Sequence, residues 1–523
     1  MAIIEKVSGL AFQPFLIETV GLILLIVLAR FLWGPLDKRE PPALRSRIPI
    51  VGHLIGLIRN GPHHLPILGE KGRPISTLPI VQGRLYAVWD PAIVQSLQKS
   101  KNLSFFPFLR LFIKKETAYD PRHEDIMQRD PGVLEEGRKV IQTSMTLKHI
   151  RAMNLTALDH LAKELEKITA DEPLRIDNMW IWFRNTMTSA TCEALFGRDN
   201  PTDKTDKYPT IMDDVWTFEG GVDRLVMAPW PSLTCRKIIT SRNRLQAAMR
   251  EYYSNRSDEK AGVSELIRGR AAMLRDFGLN DDDIGGYEIM IIHVAITNTI
   301  GTGFWFFAYI YTTPGLVEAL RDEAEAAVQR SDEDKVTVDI AHIVEKCPLL
   351  VACYRESLRL TNQFIGNRQL QADTTVSDSS NRTYLLKKGI CIQWPARFLH
   401  TSKEVWGDDA MEFKPERFLE MNKDPDSPET KRKLASYIPF GGGKHYCPGR
   451  SFAQAENVGV VLTMILGYEV SPLQGDWSSV GIPEKDTPSF ASAIYKPARN
   501  GRGWGVNIQR RKGWENATWK YVT

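Results

Sequence analysis

The sequence has few of the features that mark metal-cluster, disulfide-stabilised or nucleic-acid-binding proteins. Its 523 residues include only six cysteines, at positions 192, 235, 347, 353, 391 and 447, and none forms a C-x-x-C pair. This pattern excludes a disulfide scaffold and a four-cysteine zinc site. The formal net charge is only +4, whereas a dedicated nucleic-acid binder carries a dense basic face. We therefore expect no nucleic-acid partner.

The composition is that of an ordinary globular protein. Hydrophobic residues make up 43% and charged residues 25% of the chain, which is close to the average for folded domains. A chain of this length buries a large core. After residue 50 we find no internal repeat and no linker-like change of composition, so the sequence predicts one domain over residues 51–523.

One long apolar run lies near the N-terminus. Residues 15–33 read FLIETVGLILLIVLARFLW, close to the roughly 20 residues that a membrane-spanning helix needs. Arg30, Lys38 and Arg39 lie at or beyond its C-terminal end, so the positive-inside rule leaves the following chain in the cytosol. We therefore predict a short luminal segment at 1–14, an anchor at 15–33 and a proline-rich linker at 34–50. A cleaved signal peptide is the alternative, but no small-residue cleavage site is evident.

Helix-like spacing dominates the rest of the chain. We predict helices within 140–170, 178–196, 236–275, 284–312, 315–330 and 340–360, and strands near 75, 85, 374, 384 and 390. The longest apolar helix pattern covers 281–313, and a helix that is apolar on most faces is buried. The polar stretch 421–435 is predicted to be a surface loop. The fold class is therefore mainly α with small β-sheets.

The segment most informative about chemistry is PFGGGKHYCPGR, residues 439–450. Its three consecutive glycines allow a tight turn and a close approach of the backbone to a planar ligand. Cys447 precedes a helix-like run, and free N–H groups at a helix N-terminus stabilise a thiolate. A thiolate held by backbone donors is a suitable axial ligand for haem iron.

This segment resembles the haem-binding loop F-G-x-G-x-R-x-C-x-G of the cytochrome P450 superfamily, with Phe440, Gly443 and Cys447 at matching positions. Two upstream motifs resemble others of the family, in the same order. YRESLRL carries an E-x-x-R pair, Glu356 and Arg359, and PERF at 415–418 carries an arginine, Arg417. In the family, these three side chains form a buried charge network.

The resemblance implies a cofactor and its contacts. The cofactor is haem b, iron protoporphyrin IX, with the Cys447 thiolate as axial iron ligand. Phe440 and Gly443 would belong to the cofactor-binding loop. His445 stands where the family usually has an arginine that binds a haem propionate, and Arg368 matches a second arginine that reaches a propionate.

Three further residues have weaker counterparts in the family. His400, in RFLHTSKEVWG, resembles a histidine that is common in that stretch. The family tryptophan that lies near a propionate has no clear match, and Arg138 or Lys139 is a candidate replacement.

The central helix departs from the family pattern [AG]-G-x-[DE]-T, whose acid and threonine deliver protons during oxygen activation. Counting back from Pro314 places Asn298 at the threonine position and Thr297 at the acid position. Thr299 and Thr302 remain alternatives, by a shift of one residue or one turn. The run T-N-T-I-x-x-x-F-W resembles the prostacyclin synthase and cholesterol 7-alpha-hydroxylase branch, whose members hydroxylate steroids or rearrange peroxides.

The resemblance implies a monooxygenase anchored in the endoplasmic reticulum membrane by a single span, with a cytosolic catalytic domain. Electrons would come from NADPH through a separate NADPH–cytochrome P450 reductase, with cytochrome b5 as a further candidate partner. The expected substrate is an apolar polycyclic small molecule of fungal secondary metabolism: a steroid, terpenoid, alkaloid or polyketide. The alternatives are a haem-thiolate isomerase, a desaturation or ring-forming catalyst, and a non-catalytic haem or lipid binder.

Overall fold

The computed structural model describes residues 36–46, 51–69, 71–81, 83–129, 132–331 and 334–522. They form two compact units, each assembled from separate stretches of the chain. Unit 1 contains the described residues up to Phe105, together with Ile365–Leu399 and Gly442–His445. Unit 2 contains Phe106–Phe364, His400–Gly441 and the chain from Tyr446 onward.

The strands within the described residues are β1 (Ile75–Ile80), β2 (Gly83–Val88), β3 (Leu103–Ser104), β4 (Leu174–Ile176), β5 (Gln329–Arg330), β6 (Lys335–Asp339), β7 (Ile365–Leu370), β8 (Thr374–Ser377), β9 (Thr383–Leu386), β10 (Cys391–Pro395), β11 (Tyr468–Pro472), β12 (Val506–Arg510) and β13 (Thr518–Val522).

The α-helices are α1 (Leu54–Asn60), α2 (His64–Gly69), α3 (Pro91–Lys99), α4 (Phe106–Thr117), α5 (Glu124–Gln128), α6 (Val133–Ser144), α7 (Leu147–Glu166), α8 (Met179–Phe196), α9 (Ile211–Glu219), α10 (Val222–Met227), α11 (Pro231–Thr234), α12 (Arg236–Ser254), α13 (Glu265–Asp276), α14 (Asp281–Thr312), α15 (Leu316–Glu325), α16 (Ile340–Lys346), α17 (Pro348–Thr361), α18 (Ala396–Thr401), α19 (Lys403–Trp406), α20 (Glu416–Lys423), α21 (Pro428–Ser436), α22 (Arg450–Gly467) and α23 (Trp477–Val480).

Unit 1 is built on a mixed five-stranded sheet with the order β1-β2-β10-β7-β3. β10 runs parallel to β2 and antiparallel to β7, and β8 and β9 form a separate hairpin. Leu78, Leu85 and Trp89 pack with Leu65 and Leu68 of α2 into the core of this unit. The sheet places Arg368 on β7, next to β10.

The helices of unit 2 surround α14. Asn280 caps this helix by accepting a hydrogen bond from Asp283 N at 2.9 Å. Three aspartates in the first turn interact favourably with the positive N-terminal end of the helix dipole. Within the described residues, α14 is the one helix long and apolar enough to cross a membrane. Most of it is buried, and Phe304 packs edge-on against Trp180 and Trp504. It is the core helix, as its all-round apolar pattern predicts.

Two small sheets complete unit 2. One has the order β11-β12-β4 and is antiparallel throughout. In the other, with the order β13-β6-β5, β13 runs parallel to β6 and β5 antiparallel to it. The prediction of a mainly α fold with small sheets is confirmed.

Three predicted helical windows each contain a break. Met145 and Thr146 separate α6 from α7. Arg256 adopts a left-handed conformation, with φ +51°, between α12 and α13. Pro348 begins α17, because proline lacks the N–H that would continue α16.

The prediction of a surface loop over 421–435 is wrong. The segment includes the end of α20 and most of α21. Ser427 caps α21 by accepting a hydrogen bond from Thr430 N, with Pro428 at the first helical position and Glu429 in the first turn. These are helix-start signals, and the overall polarity of the segment concealed them.

The predicted luminal segment at 1–14 and anchor at 15–33 lie outside the described residues, so they stay predictions. Part of the predicted linker, 36–46, is described. Leu44 N donates to Thr77 O at 2.9 Å, and Thr77 N donates to Pro42 O at 3.1 Å. This part of the linker is therefore bound along β1.

Candidate haem site

Cys447 lies just before the N-terminus of α22 and ends a tight turn. Its backbone N donates to Phe440 O at 3.1 Å. Burial raises the pKa of the Cys447 thiol, while hydrogen bonds from the backbone N–H groups of Gly449 and Arg450 and the charge of Arg450 act in the opposite direction. These backbone N–H groups therefore stabilise the thiolate form of Cys447.

The glycines before Cys447 are required by a close backbone approach within unit 1. A Cβ atom at Gly442 would lie 2.3 Å from Gln98 Oε1, and one at Gly443 would lie 1.8 Å from the Gln98 carbonyl oxygen. Gly443 also has φ +63°, which favours glycine. In the same unit, the ring of His445 meets that of Phe105 edge-on, with centroids 6.1 Å apart.

Arg368 is a buried cation of unit 1 with no carboxylate beside it among the described residues. It is 7% exposed, and Nη1 donates to the carbonyl oxygen of Asn367 at 2.8 Å. Its guanidinium lies over the rings of Phe105 and Trp394, 5.2 and 5.5 Å from their centroids. Burial lowers the pKa of Arg368 to about 10. A buried charge without a counterion is unfavourable, so this position suits an anionic ligand group.

Glu356 and Arg359 form a fully buried pair one turn apart on α17. Arg359 Nε and Nη2 donate to the two carboxylate oxygens of Glu356, each at 2.7 Å. Arg359 Nη1 donates to the carbonyl oxygens of His400 and Ala410 at 2.6 and 2.7 Å. The pair is thus bidentate and hydrogen-bonded on its remaining side.

Arg417 of α20 lies against the same carboxylate. Its Nε is 3.5 Å from Glu356 Oε1, and Nη1 donates to Trp406 O at 2.7 Å. Its Nη2 lies 2.6 Å from Asp409 Oδ1. The structure therefore brings together the three side chains that the motifs single out, and the network ties α17 to the segment 406–417.

Two other side chains position the start of the cysteine loop. His400 is fully buried, and its Nε2 accepts a hydrogen bond from Ile438 N at 3.0 Å. Asn362 Nδ2 donates to Pro439 O at 3.1 Å. Arg138 and Lys139 bind on their own helix, to Gln142 and Glu136 respectively.

An accessible stripe interrupts the buried surface of α14. Val294 is 56% exposed, and Ala295, Asn298 and Thr299 are partly exposed, whereas Thr297 and Thr302 are buried. The exposed positions recur at one-turn spacing and so share one face. Asn298 is thus on the accessible face of the helix, and Thr297 is not.

The amide of Asn298 has a defined orientation. Its Oδ1 accepts a hydrogen bond from Ala493 N at 2.8 Å, and a backbone N–H can only donate, so the oxygen must be on that side. No described residue accepts from Asn298 Nδ2. Thr297 Oγ1 donates to His293 O at 2.6 Å, and Thr302 Oγ1 donates to Asn298 O at 2.8 Å. Asn298 therefore offers an amide donor at the accessible stripe, while both threonine hydroxyls are bound to their own helix.

Comparisons with known proteins agree with the motifs. The Cytochrome P450 family model matches residues 41–485. The chain belongs to the cytochrome P450 family. It is 38% identical to a cytochrome P450 monooxygenase of Gibberella zeae, over all of this chain and 99% of that protein.

A human relative of this cytochrome P450 is 7-alpha-hydroxycholest-4-en-3-one 12-alpha-hydroxylase, which is 24% identical over 92% of this chain and 96% of that protein. A solved structure, retinoic acid bound cyanobacterial CYP120A1, covers 91% of this chain and all of that chain with a TM-score of 0.65 at 16% identity. The structural match shows the shared fold. The predicted family is confirmed, and the human relative is a sterol hydroxylase, as in the predicted branch.

Family membership implies haem with a cysteine thiolate as axial ligand, and the residues of this cytochrome P450 fit that cofactor. Cys447 is the thiol of the matching loop and has backbone donors beside its sulfur. Arg368 is a buried cation that lacks a carboxylate within the described chain, which suits a propionate. The chain is therefore an enzyme of the cytochrome P450 monooxygenase family.

Two contacts of this cytochrome P450 could not be found from the sequence. Gln98 packs on the glycine turn, and Ala493 orients the Asn298 amide from 195 positions away. Neither belongs to a motif, because Ala493 contributes its backbone N–H and Gln98 contributes by packing, through its backbone carbonyl and its side chain.

Proposed function

We propose that this cytochrome P450 inserts one oxygen atom into an apolar polycyclic small molecule, a steroid, terpenoid, alkaloid or polyketide, in secondary-metabolite biosynthesis. The orientation of the Asn298 amide carries the proposal. Its Nδ2 group can hold a water molecule or a substrate oxygen at the accessible face of α14 by donating hydrogen bonds. The full-length relationship to a fungal protein named as a monooxygenase supports oxygen insertion.

In the proposed site, haem supplies the oxygen chemistry when bound through the Cys447 thiolate. Phe440 and Gly443 shape the turn that presents the sulfur. Arg368 and His445 hold propionate groups, since Arg368 is a buried cation and His445 occupies the second propionate-binding position. Glu356, Arg359 and Arg417 stabilise the segment that leads to the loop.

The proton supply differs from the family pattern in this proposal. Thr297, at the acid position, is buried and donates to His293 O. Neither it nor Asn298 is a carboxylic acid, so protons arrive through water that Asn298 orients.

The apolar part of the site suits a polycyclic substrate. Val294 and Ala295 present small apolar side chains on the accessible stripe, and apolar surface of this kind buries rigid hydrocarbon rings. The human relative is named for its action on a sterol. This supports the same broad class of substrate for the present chain.

The proposal includes a membrane location and partner proteins. Residues 15–33 anchor the chain in the endoplasmic reticulum membrane, with the catalytic domain in the cytosol. NADPH–cytochrome P450 reductase supplies electrons there, and cytochrome b5 is a second donor. Membrane fractionation of the full chain and of a chain lacking residues 1–33 tests the anchor, because only the full chain is expected to remain with membranes after a salt wash.

The deciding experiment is to purify the full chain with haem, reductase and NADPH, and to supply the compound that accumulates when the gene is deleted in its host. Under isotopically labelled dioxygen, the product is expected to gain one labelled oxygen atom. A product of unchanged mass that forms without reductase would contradict oxygen insertion.

Asn298→Asp tests the role of the amide. The carboxylate can still accept from Ala493 N, but it presents an acceptor where the amide presents donors. We expect product formation to fall at least about tenfold, as for loss of one positioned donor, with more NADPH consumed per product. Asn255→Asp, on an exposed residue, is the matched control. Unchanged coupling of NADPH to product in Asn298→Asp would contradict the assignment.

A haem-thiolate rearrangement is the second candidate, and it too rests on Asn298. An amide holds an oxygen atom but does not relay a proton as a hydroxyl does. Rearrangement predicts a product with the mass of its substrate, formed in the absence of reductase, and therefore gives the opposite result in the same experiment.

A further inference from the structure

The central helix carries a buried titratable group that the haem site does not use. His293 is 3% exposed, and its Nδ1 lies 2.6 Å from Oε1 of Glu116, which is 1% exposed and belongs to α4. The ring of Phe112, also on α4, stacks on the imidazole with centroids 6.2 Å apart and planes 10° apart. Phe218 of α9 meets the same ring edge-on at 6.1 Å. A single imidazole thus contacts side chains of two other helices.

The charges around His293 favour its protonated form. Burial lowers the pKa of His293, but the charge and hydrogen bond of Glu116 raise it, Glu219 of α9 raises it further and Lys496 lowers it, so the net direction is upward. Glu219 is itself paired with Lys496. The charged groups near the imidazole are therefore the carboxylates of Glu116 and Glu219 and the ammonium group of Lys496. A protonated His293 adds the positive charge that makes this cluster neutral.

The ion pair lies at the end of α4 that approaches α14. Next to it, Gln246 of α12 donates from Nε2 to Thr117 O at 2.7 Å and to Gly286 O at 2.8 Å. Val294, the most exposed member of the accessible stripe, follows His293 directly in the chain. The Glu116–His293 contact and the Gln246 bridge therefore both tie α4 to α14, and the first does so one residue before Val294.

We propose that His293 is a positioning residue which, as an imidazolium bound to Glu116, holds α4 and the Phe112 ring against α14 and so determines which bulky molecules the substrate site accepts. The proposal rests on the proposed function, because it takes the stripe at Val294 to face the substrate. His293 acts through Glu116 and Phe112 and makes no contact with substrate.

The test compares a small and a large haem ligand in the full-length, haem-loaded protein. Imidazole needs space only at the iron, whereas clotrimazole also fills the surrounding apolar site. Their binding is measured from the Soret band. In His293→Asn and Glu116→Gln, which each keep a hydrogen-bonding group but remove one charge, we expect clotrimazole to bind about tenfold more weakly, as for loss of a charge-assisted contact. Imidazole binding should change less than about twofold, because imidazole does not reach the surrounding apolar site that the lost contact affects.

A pH profile separates positioning from a purely structural role. The imidazolium form is complete below the ordinary histidine pKa of about 6.5, and it is lost as pH rises through the raised pKa of His293. The ratio of wild-type to His293→Asn affinity for clotrimazole should therefore decline with rising pH, and the ratio for imidazole should stay flat. His342→Asn, on an exposed histidine, is the matched control.

Equal weakening of both ligands, or clotrimazole affinities that match wild type at every pH, would overturn the proposal. If the substitutions prevent folding, the wild-type profile decides, with each affinity expressed for the neutral form of the ligand because free imidazole itself titrates near neutral pH. A clotrimazole-to-imidazole affinity ratio that then shows no fall above neutral pH overturns the proposal as well. No imidazole shift in the wild type would contradict the haem site itself, and the inference would fall with it. These outcomes separate failure of the inference from failure of the proposed function.

Discussion

Arg359 and Arg368 are both buried, but within the described part of the chain only Arg359 has a carboxylate beside it. Arg359 makes two 2.7 Å hydrogen bonds to Glu356, whereas Arg368 has a carbonyl and two aromatic rings around it. The same contrast holds for two buried glutamates. Glu356 is paired, but Glu456 of α22 accepts one hydrogen bond from Thr191 Oγ1 at 3.0 Å, and no described residue hydrogen-bonds to its Oε2.

The comparison distinguishes buried charges that stabilise the fold from buried charges that are available for a ligand or for protonation. A buried charge that is paired within the protein stabilises the fold only as part of its network. A buried charge without a protein counterion either binds a ligand of opposite charge or changes its protonation state. We assign Arg368 to the first case and Glu456 to the second, and the following measurements test these assignments.

The largest effect is expected for Glu356→Gln. It leaves Arg359 buried without its carboxylate and removes one of the two carboxylates beside Arg417, which costs about 3–5 kcal/mol of unfolding free energy. Urea unfolding followed by far-ultraviolet circular dichroism measures the loss. Glu420→Gln on the exposed side of α20 is the control, and a loss for Glu356→Gln no larger than for this control would show that the network is not stabilising.

The second effect is a pH dependence caused by Glu456. Burial raises the pKa of Glu456 to about 8. Because the folded-state pKa is raised, the protonated carboxyl's contribution to stability is complete below the unfolded value of about 4.3, and it is lost as pH rises through about 8. The stability of wild type relative to Glu456→Gln should thus fall across this range, by roughly 2–4 kcal/mol. A constant difference between pH 5 and pH 9, measured by urea unfolding, would contradict a lone protonated carboxyl.

Arg368→Met is expected to affect haem retention more than folding. Methionine removes the unpaired charge but keeps much of the buried volume, so the haem-free protein should be at least as stable as wild type. Haem should transfer to excess apomyoglobin about tenfold faster, as for loss of one supporting contact to a metal centre. Arg359→Met should show the reverse pattern, with unfolding before haem loss. Equal haem retention in Arg368→Met and wild type would remove the assigned propionate contact.

The smallest effect concerns a neutral histidine pair in unit 1. His64 Nε2 lies 3.2 Å from His53 Nδ1, and His53 Nε2 lies 2.9 Å from Leu44 O. Burial and the neighbouring His53 lower the pKa of His64 to about 4. The contribution of neutral His64 to stability is therefore complete above about pH 6.5 and is lost as the pH falls toward 4. The expected loss is about 1 kcal/mol after allowance for solvent screening. His64→Asn should remove this acid sensitivity in a thermal unfolding series. Unchanged sensitivity would assign it to other groups.

Much of the fold could be predicted from local patterns. The windows 178–196 and 284–312 nearly match α8 and α14, because their apolar residues lie within the helices and their N-caps, Asn178 and Asn280, directly precede them. The windows 236–275 and 340–360 each contain two helices, since apolar spacing alone does not show where a left-handed residue such as Arg256 breaks a helix. The segment 421–435 was mispredicted because the cap at Ser427 was outweighed by the polarity of the segment.

The candidate site likewise contains residues that the sequence predicts and residues that only the structure reveals. The loop around Cys447 and the one-turn spacing of Glu356 and Arg359 are visible in the sequence, because the chemistry depends on short-range spacing. The packing of Gln98 against the glycine turn and the contact of Glu116 with His293 are not visible, since these residues are distant in the chain and carry no motif.

By itself, the sequence determined the family motifs, the thiolate ligand of the loop, the core helix and the departure at Asn298. Each depends on residue types at fixed short spacings. Only the tertiary structure decided which way the Asn298 amide points, since the deciding N–H group belongs to Ala493, 195 positions away. It also decided that Arg368 has no carboxylate beside it among the described residues and that His293 has one, because burial and the choice of a charged neighbour are set by long-range packing.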